Sequence, residues 1–184
     1  MTTDRAAFLT ERLCVRTSQA SECATVADDL PAAVAAMLTE PVTRWLPPDW
    51  QGPYTPERAA AWISDRHAEG PVLLVEDRGD GQLLGLVLLF EEARAGGDGL
   101  DVRLGYLLAE HAWGRGLGSE LLEGFLGWCR ARPKVRSVIG GVAPENAASI
   151  RLLERHGFAR EPSSAADGDV YYRLDLTDRK RVHA

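Results

Sequence analysis

The stretch from Leu104 to Ser119 constrains this chain most. An apolar, strand-like run enters Gly114-Arg115-Gly116-Leu117-Gly118 and passes directly into an amphipathic helix. Leu117, Leu121, Leu122, Phe125 and Cys129 recur at helical spacing, with Ser119, Glu120, Glu123 and Arg130 on the other face. Such a junction aims unpaired backbone N–H groups and the positive end of a helix at one spot, which suits a phosphate or pyrophosphate. Glycine lets the backbone approach because no Cβ intervenes. The same glycines also serve a plain tight turn. Two nucleotide fingerprints are excluded by the residues themselves. No lysine follows a glycine, as a Walker loop requires, and a dinucleotide GxGxxG begun at Gly114 would need glycine where Ser119 stands.

The rest of the chain places this junction in an α/β context. Arg12 to Arg16 alternates as an opening strand, and Ser18 or Ser21 can cap a helix running through Val26 and Leu30. Pro31 then opens a short helix carrying Val34, Met37 and Leu38. Thr55-Pro56-Glu57 reads as a cap, a first-turn proline and a favourable acid for a helix through Trp62 and Ile63 that Gly70-Pro71 stops. Val72 to Val75 and Leu83 to Phe90 are β-type runs joined by the Gly- and Asp-rich turn Asp77 to Gly81. Further strands are expected over Asp101 to Leu108, Ser137 to Ala143 and Val170 to Leu176, with a helix from Asn146 to His156. The order predicts one α/β domain with a mixed sheet.

A second constellation lies about thirty residues beyond the glycines. Pro144-Glu145-Asn146-Ala147-Ala148-Ser149-Ile150 sets Asn146 at a helix start and Ser149 one turn later on the same face, followed by Leu152-Leu153-Glu154-Arg155-His156-Gly157-Phe158. Taken singly, Asn146 is an N-cap and Ser149 a helix-side hydroxyl. Together with Leu104-Gly105-Tyr106-Leu107-Leu108 and Trp113 to Gly118, they resemble the GNAT superfamily of N-acetyltransferases. The Arg/Gln-x-x-Gly-x-Gly/Ala loop of that family is matched with Trp113 at its first position. The closer likeness is to the branch of ribosomal-protein N-terminal and aminoglycoside acetyltransferases, over roughly residues 8 to 176.

The resemblance implies a single α/β domain over residues 8–178, ahead of a basic tail at 179–184. Its mixed, mostly antiparallel sheet is splayed between two central strands and flanked by helices. It implies acetyl-CoA as cofactor. Tyr106, Leu107 and Leu108 would pair with the pantetheine arm. Trp113, Gly114, Arg115, Gly116, Leu117, Gly118 and Ser119 would surround the pyrophosphate, and Asn146 would stand at the start of the neighbouring helix. The acceptor is expected to be a primary amine, on a protein N-terminus or a small molecule such as an antibiotic. The alternative is a catalytically idle acyl-CoA-binding or sensing domain.

Direct attack by the amine sets three tasks: removing the ammonium proton, stabilising an oxyanion and protonating the leaving thiolate. A backbone N–H near Leu107 is expected to hold the oxyanion. The tyrosine that many relatives use on the last helix corresponds to Leu153, so Ser149 is expected to assist the sulfur. Positions acidic in relatives are Gly141 and Arg103 here, which leaves Asp101, on the parity of Arg103, as the expected base, with Glu91 and Glu92 as rivals. His156 and His111 read as surface residues and Cys129 as inert core. Trp45, Trp50, Tyr54 and Trp62 form either ordinary packing or a substrate wall.

Composition fits this picture. The 184 residues are 45% hydrophobic and 26% charged, as expected of a single globular domain. Three cysteines, Cys14, Cys23 and Cys129, with no CxxC pair, argue against a disulfide framework and against structural zinc, and no metal is expected. A formal charge of −6 opposes nucleic-acid binding and mildly favours a cationic acceptor. Neither a signal-like start nor a bilayer-length apolar run is present, so the expected location is the cytoplasm, without membrane association. A homodimer is compatible with the composition.

Overall fold

In the computed structural model, residues 7–17, 29–94, 96–162 and 168–176 are described. They form an eight-stranded sheet with five α-helices against its faces. The strands are β1 (Phe8–Leu9), β2 (Leu13–Thr17), β3 (Val72–Asp77), β4 (Leu83–Ala93), β5 (Leu100–Leu108), β6 (Val135–Val142), β7 (Ala159–Arg160) and β8 (Val170–Asp175). Their spatial order is β1-β2-β3-β4-β5-β6-β8-β7, and the β5–β6 pair alone is parallel. The helices are α1 (Leu30–Met37), α2 (Glu40–Thr43), α3 (Pro56–Glu69), α4 (Leu117–Arg130) and α5 (Ala147–Arg155).

Alternation along the strands sends side chains into two cores. Leu73, Val75, Val102 and Leu104 face α4, where they meet Leu117, Leu121, Leu122, Phe125 and Cys129, the apolar stripe legible in the sequence. Val72, Leu74, Leu86 and Leu107 face the opposite way and are covered by Val34 and Met37 of α1 and Ala59, Trp62 and Ile63 of α3. A bulge opposite Val75 and Glu76 inserts Leu84 into β4, so that Leu83 and Leu84 serve different cores. Beside it, Gly85 has its Cα against the next strand, and a Cβ there would lie 2.3 Å from the Leu107 carbonyl oxygen.

Several local expectations hold. The Thr55 hydroxyl accepts from the Arg58 N–H at 3.2 Å and caps α3, with Pro56 in the first turn. Asn146 caps α5, accepting from the Ser149 N–H at 3.2 Å. The short helix at Pro31 is present as α1, capped by Asp29. The preceding helix expected from Ser18 or Ser21 lies outside the described residues, as does the 179–184 tail. β4 runs three residues past Phe90, because Glu91, Glu92 and Ala93 continue the ladder with Val102, Asp101 and Leu100. Against the expectation from the cysteine count, Cys14 is disulfide-bonded. Among the described residues, no helix is long and apolar enough to cross a membrane.

Candidate active site

The parallel pair β5–β6 opens along its length. Its ladder runs from Leu100↔Val135 to Leu104↔Gly140 and stops, whereas β5 continues on β4 to Leu108 and β6 continues on β8 to Val142. The splayed sheet expected from the sequence is therefore present, and Gly105 to Leu108 face Gly141 and Val142 across an unpaired gap. The gap belongs to a cavity of about 1160 Å³ that α2, α3, α4 and α5 border on its several sides. The Leu100 N–H donates to the Lys134 carbonyl across the gap strand, and the Ala109 N–H donates to Leu84 on the β4 side. Strand alternation therefore aims the N–H groups of Tyr106 and Leu108 into the opening and gives that of Leu107 to the β4 ladder. Near Leu107, the backbone N–H groups that face the opening are those of Tyr106 and Leu108.

At the mouth of the gap, α4 begins without a side-chain cap. Its N-cap is Gly116, left-handed at φ +78°, and Gly114 is also left-handed at φ +69°. L-residues rarely adopt either conformation, so the path of the loop depends on both glycines. Glu120 is the first residue bonded back into the helix, to the Gly116 carbonyl at 3.2 Å. The N–H groups of Leu117, Gly118 and Ser119 remain directed out of the helix start. Gly114, Gly116, Leu117, Gly118 and Ser119 all line the cavity, as do Tyr106, Leu107, Leu108, Trp113, Asn146 and Ser149. The glycine cradle and the open strand edge fit a phosphate-bearing, amide-rich cofactor arm. Arg115 differs. It is exposed outside the lining, and its carbonyl accepts from Arg12 Nη1 at 2.9 Å. Trp113 donates its indole N–H to the Leu108 carbonyl at 2.8 Å, which ties the loop to the end of β5.

Two side-chain relations escaped sequence reasoning. His156 is not a surface residue. Its ring is 7% exposed, its Nε2 lies 3.0 Å from the Ser119 hydroxyl and its Nδ1 lies 2.8 Å from the Leu152 carbonyl. Because a carbonyl can only accept, Nδ1 carries a proton, and Nε2 shares a hydrogen bond with the Ser119 hydroxyl, with Glu123 Oε1 at 3.6 Å. The second relation joins Tyr106 to Ser149. The Tyr106 side chain faces α4 and α5, its hydroxyl is buried, and no partner stands at hydrogen-bonding distance among the described residues. Burial pushes this phenol above its ordinary pKa, and the nearby Ser149 hydroxyl pulls it partly back. No motif spacing announces either pair, since each joins residues about forty positions apart.

Asp101 does not reach the site and is corrected as a candidate base. It has the right parity, but it lies six residues from Leu107 on an extended strand, about 20 Å away. It does not line the cavity. Its carboxylate accepts from the Ser137 hydroxyl at 2.7 Å and from Arg173 Nη1 at 3.2 Å, with Arg94 at 3.5 Å. Burial pushes its pKa up, but Ser137, Arg173 and Arg94 together hold it below the ordinary value. Asp101 therefore anchors β5 to β6 and β8. Glu91 and Glu92 are also off the lining, paired with Arg132 and Arg103. At Gly141, a Cβ would lie 3.1 Å from the Tyr171 ring, so that ring occupies the space an acidic side chain would need. Trp45 and Trp50 line the cavity, while Tyr54 and Trp62 stand behind Trp50 and pack edge-on. The aromatic cluster thus supplies both wall and packing.

An opened parallel pair with an uncapped helix start at its mouth is the architecture that the sequence resemblance implied, that of an N-acetyltransferase. The chain belongs to the GNAT acetyltransferase family: residues 24–159 match the acetyltransferase (GNAT) domain. Solved structures share the fold. An acetyltransferase of the GNAT family from Bacillus anthracis superposes with a TM-score of 0.69 at 19% identity, over 92% of this chain and 98% of that one. A protein from Vibrio cholerae assigned as a ribosomal-protein-serine acetyltransferase gives 0.67 at 20% identity, over 95% and 99%. A Salmonella typhimurium structure holding its cofactor acetyl-CoA gives 0.60 at 22% identity, over 94% and 98%. At these identities the likeness speaks to the fold.

Proposed function

We propose that this acetyltransferase uses acetyl-CoA and transfers the acetyl group to a primary amine by direct attack. The carrying observation is the coincidence, in one cavity, of the unpaired edge of β5 after Leu104 with the uncapped amides at the start of α4. The amides of Leu117, Gly118 and Ser119 hold the pyrophosphate, with the helix dipole adding to their attraction. Tyr106 and Leu108 offer their N–H groups to the pantetheine arm and to the carbonyl under attack. Ser119 is held by His156, so its hydroxyl is oriented before any ligand arrives.

Bound acetyl-CoA supplies the thioester that accepts the amine and releases a thiolate. Ser149, lining the cavity from the first turn of α5, provides the hydroxyl that meets the leaving sulfur. The Tyr106 phenol behind it stays protonated at neutral pH, since burial raises its pKa, and orients the serine hydroxyl. The acceptor enters from the face covered by α1 and α3, where Trp45 and Trp50 form the wall. Two carboxylates line the cavity, Glu69, which Arg66 engages at 2.6 Å, and Asp169. The ammonium proton leaves through water in the open cleft.

The test is thiol release from acetyl-CoA with a panel of N-terminal peptides, amino acids, polyamines and aminoglycosides, alongside calorimetry of acetyl-CoA binding. Amine-dependent release supports the proposal. Binding without turnover on any amine would instead support an acyl-CoA-sensing domain, and no binding at all would end both readings.

A further inference from the structure

We propose that the amine acceptor carries a carboxylate and that Arg66 and Arg103 receive it. This rests on the acetyl-transfer reading above and names the class of its acceptor. Arg103 stands on β5 with the parity of Gly105 and Leu107, the residues that face α1 and α3. Arg66 comes from the last turn of α3 on that same face, and both arginines line the cavity. The two therefore approach the acceptor end from the sheet and from the helix above it.

Arg66 is the stronger observation. Its side chain is only 10% exposed, yet it holds a full charge. Its guanidinium lies 4.0 Å from the centre of the Trp50 ring and donates through Nη2 to Glu69 Oε1 at 2.6 Å. Its Nε–H is buried and has no hydrogen-bond partner among the described residues. That Nε is packed away, while Trp50 and Glu69 fix the guanidinium and its Nη1 makes no hydrogen bond among the described residues, which leaves this edge of the group to meet an acceptor oxygen at the cleft. A carboxylate supplies that oxygen together with the charge a guanidinium prefers.

Arg103 adds a second cation with spare capacity. It is about half exposed, its contact with Glu92 is long at 3.3 Å, and it lies 5.8 Å from the Tyr171 ring. Arg44, at the rim over Trp45, has no ion-pair partner among the described residues. The overall charge of −6 favours a cationic acceptor, but Arg44, Arg66 and Arg103 line this end of the cleft beside Glu69 and Asp169, and the groups nearest the ligand weigh most in its binding. A polyamine or aminoglycoside would place its extra ammonium groups among these arginines.

The experiment compares matched acceptors under saturating acetyl-CoA, following thiol release. L-glutamate is set against its diamide, which lacks both carboxylates, and C-terminally amidated peptides with acidic residues after the N-terminus against their amide counterparts. The free and peptide arms distinguish the two sources of the carboxylate. The expected result is a kcat/KM at least ~10-fold higher for the carboxylate member in one of the arms, the scale of a charged hydrogen bond. In Arg66→Gln that ratio should fall to about one, and in Arg103→Gln it should fall several-fold. A merely structural role would lower both members equally and leave the ratio alone. Arg103→Gln changes a half-exposed strand residue, so it keeps a folded protein available should the buried substitution unfold. Turnover that is equal for both members, or that favours polyamines, overturns the inference while leaving acetyl transfer standing. Absence of acetyl-CoA binding in calorimetry would instead remove the reading beneath it, and this inference with it.

Discussion

Replacing Tyr106 with phenylalanine should make the protein more stable and less active. The phenol hydroxyl is buried, finds no hydrogen-bond partner at standard distance, and has only the Ser149 hydroxyl nearby. An unmet buried polar group costs about 1–3 kcal/mol. The Ser149 dipole offsets part of that, so the low end applies, and Tyr106→Phe should gain about 1 kcal/mol. The ring, which packs beside Leu104 and Leu122 in the α4-facing core, is unchanged in volume and should not leave a cavity. For a domain of this length the gain corresponds to a rise in Tm of roughly 2–4 °C, readable by calorimetry without ligand. The Tyr106 hydroxyl, close to Ser149 but unbonded in the resting site, donates to it when the serine turns to the leaving sulfur, so losing that bond should lower kcat roughly five-fold. A lower Tm with unchanged kcat would refute the reasoning, because it would mean that the hydroxyl has a structural partner and no role at Ser149.

Gly116→Val puts a β-branched residue at φ +78°, where the obstacle is backbone conformation rather than space, since the nearest atom to a Cβ is Arg12 Nη2 at 3.6 Å. Acetyl-CoA affinity by calorimetry should weaken ~10-fold or more, and unchanged affinity would contradict the phosphate assignment. Glu76→Ala removes the carboxylate that meets Arg16 through bonds of 2.7 and 2.6 Å, both residues being at most 2% exposed, while Arg16 Nη1 still donates to the Thr17 carbonyl at 3.1 Å. Losing the buried counter-charge should cost about 3–5 kcal/mol, a loss of roughly 10 °C in Tm, and a shift within 2 °C would show that the remaining contacts of Arg16 suffice. Asp101→Asn should act on stability and not on kcat. Since the folded-state pKa of Asp101 is lowered, its contribution is present above the unfolded value near ~3.9 and is lost as pH falls through the folded value. The Tm gap between wild type and variant should therefore be open at pH 7 and close below about pH 4; a fall in kcat at constant Tm would return Asp101 to the chemistry.

What the sequence disclosed follows from the range over which each signal acts. The stripe Leu117, Leu121, Leu122, Phe125, Cys129 is a local periodic pattern, and its burial against the sheet follows from the helix period alone. The caps at Thr55 and Asn146 are settled within three residues, by a side-chain oxygen and one backbone N–H. The apolar run of β4 ends at Phe90, and the strand goes on for the opposite reason. The backbones of Glu91 and Glu92 are held by β5 and their charges by Arg132 and Arg103 from elsewhere in the chain. Tertiary pairing outweighed the local preference for solvent.

The site divides along the same line, and the charges at its proposed acceptor end are local while the net charge is not. The backbone elements proposed to hold a phosphate are continuous in sequence, so Gly114 to Ser119 could be read directly. Asp101 was a parity argument, and parity gives the face of a strand without the distance along it. Ser119–His156 and Tyr106–Ser149 depend on how α4, α5 and β5 meet, which no spacing encodes. A formal charge of −6 sums every surface group, including carboxylates such as Glu120, which Arg12 and Thr10 engage far from the acceptor. Solvent and salt screen those distant charges over about 10 Å, whereas Arg66, enclosed beside Trp50, is screened far less. If the acceptor carries the carboxylate proposed above, two or three guanidinium groups that the net charge conceals select it, and Arg103→Glu, which reverses the sign at that position, should move acceptor preference toward cationic amines in the same thiol-release assay. If the preference stays where it is, the charge at this end of the cleft does not select the acceptor.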